Sequence, residues 1–174
     1  SGRVLANVTA AALGQYYTCA VTADRRLWCW GSNGNGQLGV NSVVNSSTPV
    51  QVTTLSAAPT TVSVGWSYAC ATLVGGSAMC WGANTSGRLG DGTTTERRQP
   101  VAVGLAPGIL ATSITAGQYH TCARVASGGA RCWGANWDGQ FGDGTLTSSM
   151  IASASMLSLR TSDVGGIRGS SGSL

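Results

Sequence analysis

The sequence predicts an all-β chain of three four-stranded blades, part of a β-propeller or of an open blade stack completed by neighbouring sequence or chains. Three observations carry that prediction. One stretch is written three times, as GQYYTCAVTADRRLWCWG from Gly14, GWSYACATLVGGSAMCWG from Gly65 and GQYHTCARVASGGARCWG from Gly117, so the leading glycines lie 51 and 52 residues apart. Each copy holds two cysteines ten residues apart. Each is followed by a glycine-rich turn and, in the first two copies, by a segment that opens on proline. A fixed period of about 40 to 50 residues marks a unit that cannot bury its apolar face alone and stacks on its neighbours.

The elements follow in order within each repeat. A short apolar strand comes first, VTAAAL, TTVSV and TSITA in the three copies. Next come paired runs in which small or polar residues alternate with larger ones: YYTCAV and LWCWG around TADRR, SYACATL and SAMCWG around VGG, YHTCARV and ARCWG around ASGG. Two alternating runs around a short turn are a hairpin. The fourth strand is Pro49-Val50-Gln51-Val52 in the first copy and Pro100-Val101-Ala102-Val103 in the second. Proline at a strand's first residue keeps its missing N–H off the ladder. Four short strands per repeat is the content of one propeller blade.

The repeats divide the chain into residues 1–58, 59–107 and 108–160. Residues 161–174 read as the degenerate start of a further repeat or a Ser/Gly-rich tail, since VGGIRG ends at Gly169, 52 residues beyond Gly117. The opening SGRVLANVT is expected of a processed or excerpted segment. A closed propeller takes about four to eight blades. Three blades are therefore expected to continue into adjacent repeats or further copies, as a ring or, where the interface fails to close, a filament.

The turns Asn33 to Gly36, Asn84 to Gly87 and Asn136 to Gly139 are expected to use glycine and asparagine for positive φ, with Gly39, Gly90 and Gly142 closing them. Trp30, Trp81 and Trp133 follow the second cysteine in every copy and are expected to be equivalent core residues. Trp66 and Trp137 break the repeat. Variable aromatics at turns on a fixed scaffold suit recognition, so these two are the candidate contact surface.

Composition narrows the function classes. Only 9% of residues are charged against 43% hydrophobic, so the chain is ordered and has a core. Its ten basic residues are all arginine and are scattered, whereas a nucleic-acid binder gathers them into a stripe; no nucleic acid is expected. No apolar run is long enough to span a bilayer. One histidine, no lysine, a single glutamate at Glu96 and no G-x-S-x-G elbow leave no catalytic constellation, and no cofactor is expected. GANWDGQFGDG offers Asp138 and Asp143, but the second copy keeps only Asp91 and the first has Val40 in the matching place. Calcium takes six to eight oxygens. Asp91 and Asp143 are thus expected to cap their own turns, and no metal site is expected.

The six cysteines form three local pairs across the hairpins, Cys19 with Cys29, Cys70 with Cys80 and Cys122 with Cys132. Opposed strand residues approach to the separation a disulfide requires. An even count at fixed spacing is what an oxidising compartment produces, so three intrablade disulfides and an extracellular or cell-surface address are expected. The competing arrangement is six buried free thiols. Zinc would find each tetrahedron half empty. Asn7, Asn45 and Asn84 each begin an N-x-[ST] sequon, open to N-glycosylation on a eukaryotic secretory route.

The consensus formed by GQYHTCAR, CWGANxxGQxGDGT and the following Pro-Val closely resembles the repeat of the regulator-of-chromosome-condensation (RCC1-type) family, here in a secreted, disulfide-bonded variety. The likeness covers roughly residues 8 to 145. It implies four-stranded antiparallel blades in a propeller. Where that family commonly carries histidine, this chain has Tyr17, Tyr68 and His120, so a histidine mechanism repeated around a ring is not expected. The function expected is a non-catalytic extracellular structural or interaction module that self-associates or continues into neighbouring repeats. The alternatives are a secreted binding domain for a soluble protein partner and a nuclear guanine-nucleotide exchange factor. Exchange calls for an inserted wedge and a basic tail, neither of which is recognisable here.

Overall fold

The computed structural model describes residues 5–155; the segment 161–174, read above as a further repeat or tail, lies outside them. The first blade comprises β1 (Val8–Leu13), β2 (Tyr17–Thr22), β3 (Leu27–Gly31) and β4 (Ser46–Val52). The second comprises β5 (Pro59–Val64), β6 (Tyr68–Leu73), β7 (Ala78–Gly82) and β8 (Arg97–Ala102). The third comprises β9 (Ala111–Ala116), β10 (His120–Val125), β11 (Ala130–Gly134) and β12 (Ser149–Ser155). Each is an antiparallel meander whose spatial order is its chain order, and the three sheets do not close into a ring.

The central hairpin of each blade is pinned at one register. Cys19 faces Cys29, Cys70 faces Cys80 and Cys122 faces Cys132, and each pair is bonded with its Cα atoms 4.1 Å apart. A one-residue slip would turn every side chain to the opposite face. The cross-link therefore fixes which residues each blade offers its neighbour.

Apolar burial happens between blades. One cluster joins Tyr17, Cys19, Val21 and Leu38 of the first blade to Ala69, Ala71, Met79 and Trp81 of the second. Another joins Tyr68, Cys70, Cys80 and Leu89 to Ala111, Ile114, Ala123 and Trp133 of the third. β6, covered on both faces, is buried at every residue. Its small side chains, Ala69, Cys70 and Ala71, let the flanking blades approach. β1 is as apolar as the sequence suggests but largely exposed, because first strands lie beside one another along the open inner side, where Leu13 is 78% exposed.

The two joints repeat one chemistry. The Tyr17 hydroxyl donates to the carbonyls of Gly65 and Tyr68, and the Tyr68 hydroxyl donates to the His120 carbonyl at 2.7 Å. The indole Nε1 of Trp81 donates to the Gln37 carbonyl and that of Trp133 to the Arg88 carbonyl, both at 2.9 Å. Each indole lies on a glycine. A Cβ on Gly39 would meet Trp81 Nε1 at 2.8 Å, and one on Gly90 would meet Trp133 Nε1 at 2.6 Å.

The asparagines opening the long third-to-fourth-strand loops differ from their expected role. Among the loop residues Gly36, Gly87 and Gly139 take positive φ, and Asn33, Asn84 and Asn136 do not. Their side chains are buried instead and hold the loop from inside. Oδ1 accepts the N–H of Leu38, Leu89 or Phe141, while Nδ2 donates to carbonyls across the loop, those of Thr93 and Thr95 at 3.0 Å in the second blade. Asn84→Ala strands a buried N–H and two carbonyls. It is expected to cost about 1–3 kcal/mol, read as a lower urea midpoint at unchanged slope; a null effect would show that water serves the loop equally well.

Candidate interaction surface

The turns joining first to second strands and the loops joining third to fourth strands emerge at one end of the blades. Three aromatic rings form a row there. Trp66, on the β5–β6 turn, meets Tyr119, on the β9–β10 turn, with centroids 5.8 Å apart and planes at 64°. Tyr119 in turn meets Trp137, on the β11–β12 loop, at 5.8 Å and 46°. Trp66 is 41% exposed and Trp137 57%. The residues singled out for breaking the repeat are thus brought together across the second joint. Tyr119 links them, and the sequence reading missed it because its counterparts, Tyr16 and Ser67, share no chemistry with one another.

Arg88 holds the row from beneath. It is 4% exposed, with its guanidinium 4.8 Å from the Tyr119 centroid and 5.6 Å from that of Tyr68. Its Nε donates to the Thr85 carbonyl at 2.9 Å and one terminal nitrogen to the Gln118 carbonyl at 3.0 Å. Burial lowers its pKa from the ordinary value. Its counterparts in the other loops are Gln37 and Gln140. A cation against two ring faces, tied to two backbone carbonyls, joins the β9–β10 turn to the β7–β8 loop and to the start of β6. Among the described residues no carboxylate pairs with it.

Beside the row, the ends of the first strands border an open groove of about 540 Å³ with Leu13, Val64, Ala116 and Trp66 on its apolar walls and Gln15 and Gln118 at its rim. Tyr16 is 71% exposed next to it. The result is an apolar, aromatic surface on a scaffold stiffened by disulfides and buried hydrogen bonds.

The remaining candidates serve local structure. Asp91 Oδ1 accepts from the N–H and hydroxyl of Thr93, and its Oδ2 takes Arg97 Nε at 2.8 Å. Partial burial pushes the Asp91 carboxyl up, and these hydrogen bonds outweigh it, leaving the pKa below the usual value. Asp143 caps Thr145 in the same way, and those hydrogen bonds lower its pKa too. No three metal-ligating side chains gather among the described residues. His120 is half-buried, and desolvation lowers its pKa. Of the sequon asparagines, Asn7 and Asn45 are exposed, whereas Asn84 is 2% exposed with its amide committed to the loop, closed to an attached glycan in the folded chain.

Comparison with known proteins agrees with this architecture. The regulator of chromosome condensation (RCC1) repeat matches residues 24–72 and 76–124, and a second description of the same repeat matches residues 8–37 and 111–140. RUG3 of Arabidopsis thaliana, a mitochondrial RCC1 domain-containing protein, is 30% identical over 151 residues, covering 83% of this chain and 34% of its own length. The crystal structure of human WBSCR16 superposes with a TM-score of 0.72 at 25% identity over 83% of this chain and 38% of that one. Prp20p of Saccharomyces cerevisiae, studied for its binding to Gsp1p and histones, superposes at 0.78 with 20% identity, over 90% of this chain and 40% of its own. The chain spans about a third of the length of the first of these relatives.

Proposed function

The chain belongs to the regulator of chromosome condensation repeat family, and from that premise we propose that it is a non-catalytic interaction module, working outside the cell or at its surface and continued at its ends by further blades or copies. The observation that carries the reading is the row Trp66–Tyr119–Trp137 over buried Arg88. Tryptophan, tyrosine and arginine are the residues that dominate protein–protein binding energy. Here they sit on turns already locked in place, so little side-chain freedom is lost on binding. Three bonded cysteine pairs with no free thiol among the described residues support the extracellular part of the reading.

The surface is tested by photo-crosslinking in the protein's native setting. A benzophenone side chain at position 137 is expected to give one specific protein adduct, which Trp66→Ala suppresses. The same probe at position 99, exposed on β8, is expected to give none. Equal adducts at both positions, or none at position 137, would sink the assignment.

A further inference from the structure

The three turns that border the groove beside the aromatic row are rich in free donors and poor in free acceptors. Gln15, Trp66 and Gln118 line that groove, one from each blade, and among the described residues none of their backbone N–H groups has an acceptor. Carbonyls of the same turns are occupied. Gly65 accepts the Tyr17 hydroxyl, Gln118 accepts Arg88, and Tyr16, Ser67 and Tyr119 accept the N–H groups of Ser32, Ala83 and Ala135. Side chains add further donors: the indole N–H groups of Trp66 and Trp137 and the amide of Gln118 find no partner among the described residues, and all three residues are exposed. No charged side chain lines the groove. Asp138, exposed next to Trp137, has no ion-pair partner among the described residues.

We propose that the row and the groove receive a proline-rich segment of a partner protein in the polyproline II conformation. The inference deepens the interaction-module reading and rests on it. Proline carries a carbonyl and no N–H, so a run of prolines is an acceptor-only backbone, and in this conformation none of its carbonyls is used internally. It complements a groove whose free groups are donors. The rings select the same occupant: planes inclined at 64° and 46° leave notches between them, unlike the flat platform on which a sugar ring stacks. Aromatic-lined grooves are how Pro-rich segments are recognised elsewhere. The span fits as well, since two steps of 5.8 Å carry the row over about four residues of a chain that rises about 3.1 Å per residue. Leu13, Val64 and Ala116 give the pyrrolidine rings apolar walls, and Asp138 repels an acidic segment. A segment already extended before it docks loses little freedom on binding.

The experiment titrates the whole chain into fluorescein-labelled decaproline and follows anisotropy, with a Gly-Ser peptide of equal length as control and unlabelled cellohexaose as competitor. Saturable binding with a dissociation constant below about 1 mM is expected. Trp66→Ala and Trp137→Ala are each expected to weaken it roughly tenfold or more, as loss of an aromatic anchor does. Gln118→Glu exchanges a donor amide for an acceptor-only carboxylate and is expected to weaken it several-fold. That side chain is exposed and unpartnered, so the variant keeps the test open if a tryptophan variant loses its far-ultraviolet circular dichroism. Decaproline that does not bind below about 1 mM, while a benzophenone at position 137 still captures a protein, overturns the proline-rich occupant and leaves the interaction surface standing. Binding that the folded variants leave unchanged, that the Gly-Ser peptide equals or that cellohexaose displaces overturns it too. Failure of both the titration and the crosslink removes the surface itself.

Discussion

Trp133→Ala is expected to lower stability by about 3–5 kcal/mol, from lost apolar burial plus the cavity left behind. Trp133 is 0% exposed and fills the space between the second and third blades, with Gly90 shaped around it. Surrounding backbone cannot follow the missing ring, because β10 and β11 are held by the Cys122–Cys132 bond. In an array whose units contact only their neighbours, stability is a sum of unit and interface contributions. The loss should therefore appear as an early transition of the third blade, with the first two melting near their usual midpoint. Trp30→Ala, at the half-buried counterpart, is expected to cost about 1 kcal/mol, as a partly exposed substitution does. Urea titration followed by far-ultraviolet circular dichroism measures both. Equal losses at positions 30 and 133 would mean that the blades dock otherwise than described.

That difference between equivalent residues also shows what the sequence could express. Repeat spacing and cysteine pairs report local geometry, so hairpins, blades and register were legible from Gly14, Gly65 and Gly117 and from the ten-residue interval. Equal burial of the three tryptophans was expected from equal sequence context, but burial depends on the neighbour, and among the described residues no blade lies against the Trp30 side of the first blade. Asn33, Asn84 and Asn136 were read through backbone preference. Their side chains instead meet partners up to eleven residues on, which no local rule anticipates. The hydroxyls of Tyr17 and Tyr68 reach about one repeat ahead, and these residues had drawn notice only for standing where a histidine is common.

The contact surface was half legible for a related reason. Trp66 and Trp137 stood out against the repeat, since departure from a pattern is visible in one dimension. That they share one neighbour, and that Arg88 props it, depends on the second and third blades lying face to face. Thr85 and Gly34 occupy the position of Trp137 in the other loops, and Gln15 and Gln118 that of Trp66. Among the described residues, the joint between the first and second blades cannot assemble the same row. A single surface on a pseudo-repeating scaffold comes from breaking the repeat at two places that the fold then brings together.

Reducing all three disulfides is expected to unfold the chain near room temperature. Each closes a loop of ten residues, and chain-entropy arithmetic for a loop of that size gives about 2.7 kcal/mol apiece. Three such constraints are together comparable with the whole stability of an ordinary domain, about 5–15 kcal/mol. The order of reduction is also set by the fold. Cys70 and Cys80 are 0% exposed between two blades, and Cys19 and Cys29 likewise, whereas Cys122, on the face of the third blade that no other described blade covers, is half-buried. Cys122–Cys132 should open first and leave the first two blades folded. Timed alkylation under mild reductant, read by peptide mass, gives that order, and thermal melts with and without reductant give the loss of stability. An unchanged melting curve in full reductant would show the cross-links to be dispensable. The same alkylation without reductant, on protein taken from its source, tests the compartment: no labelled cysteine is expected there, and six labelled thiols would place the chain in a reducing one.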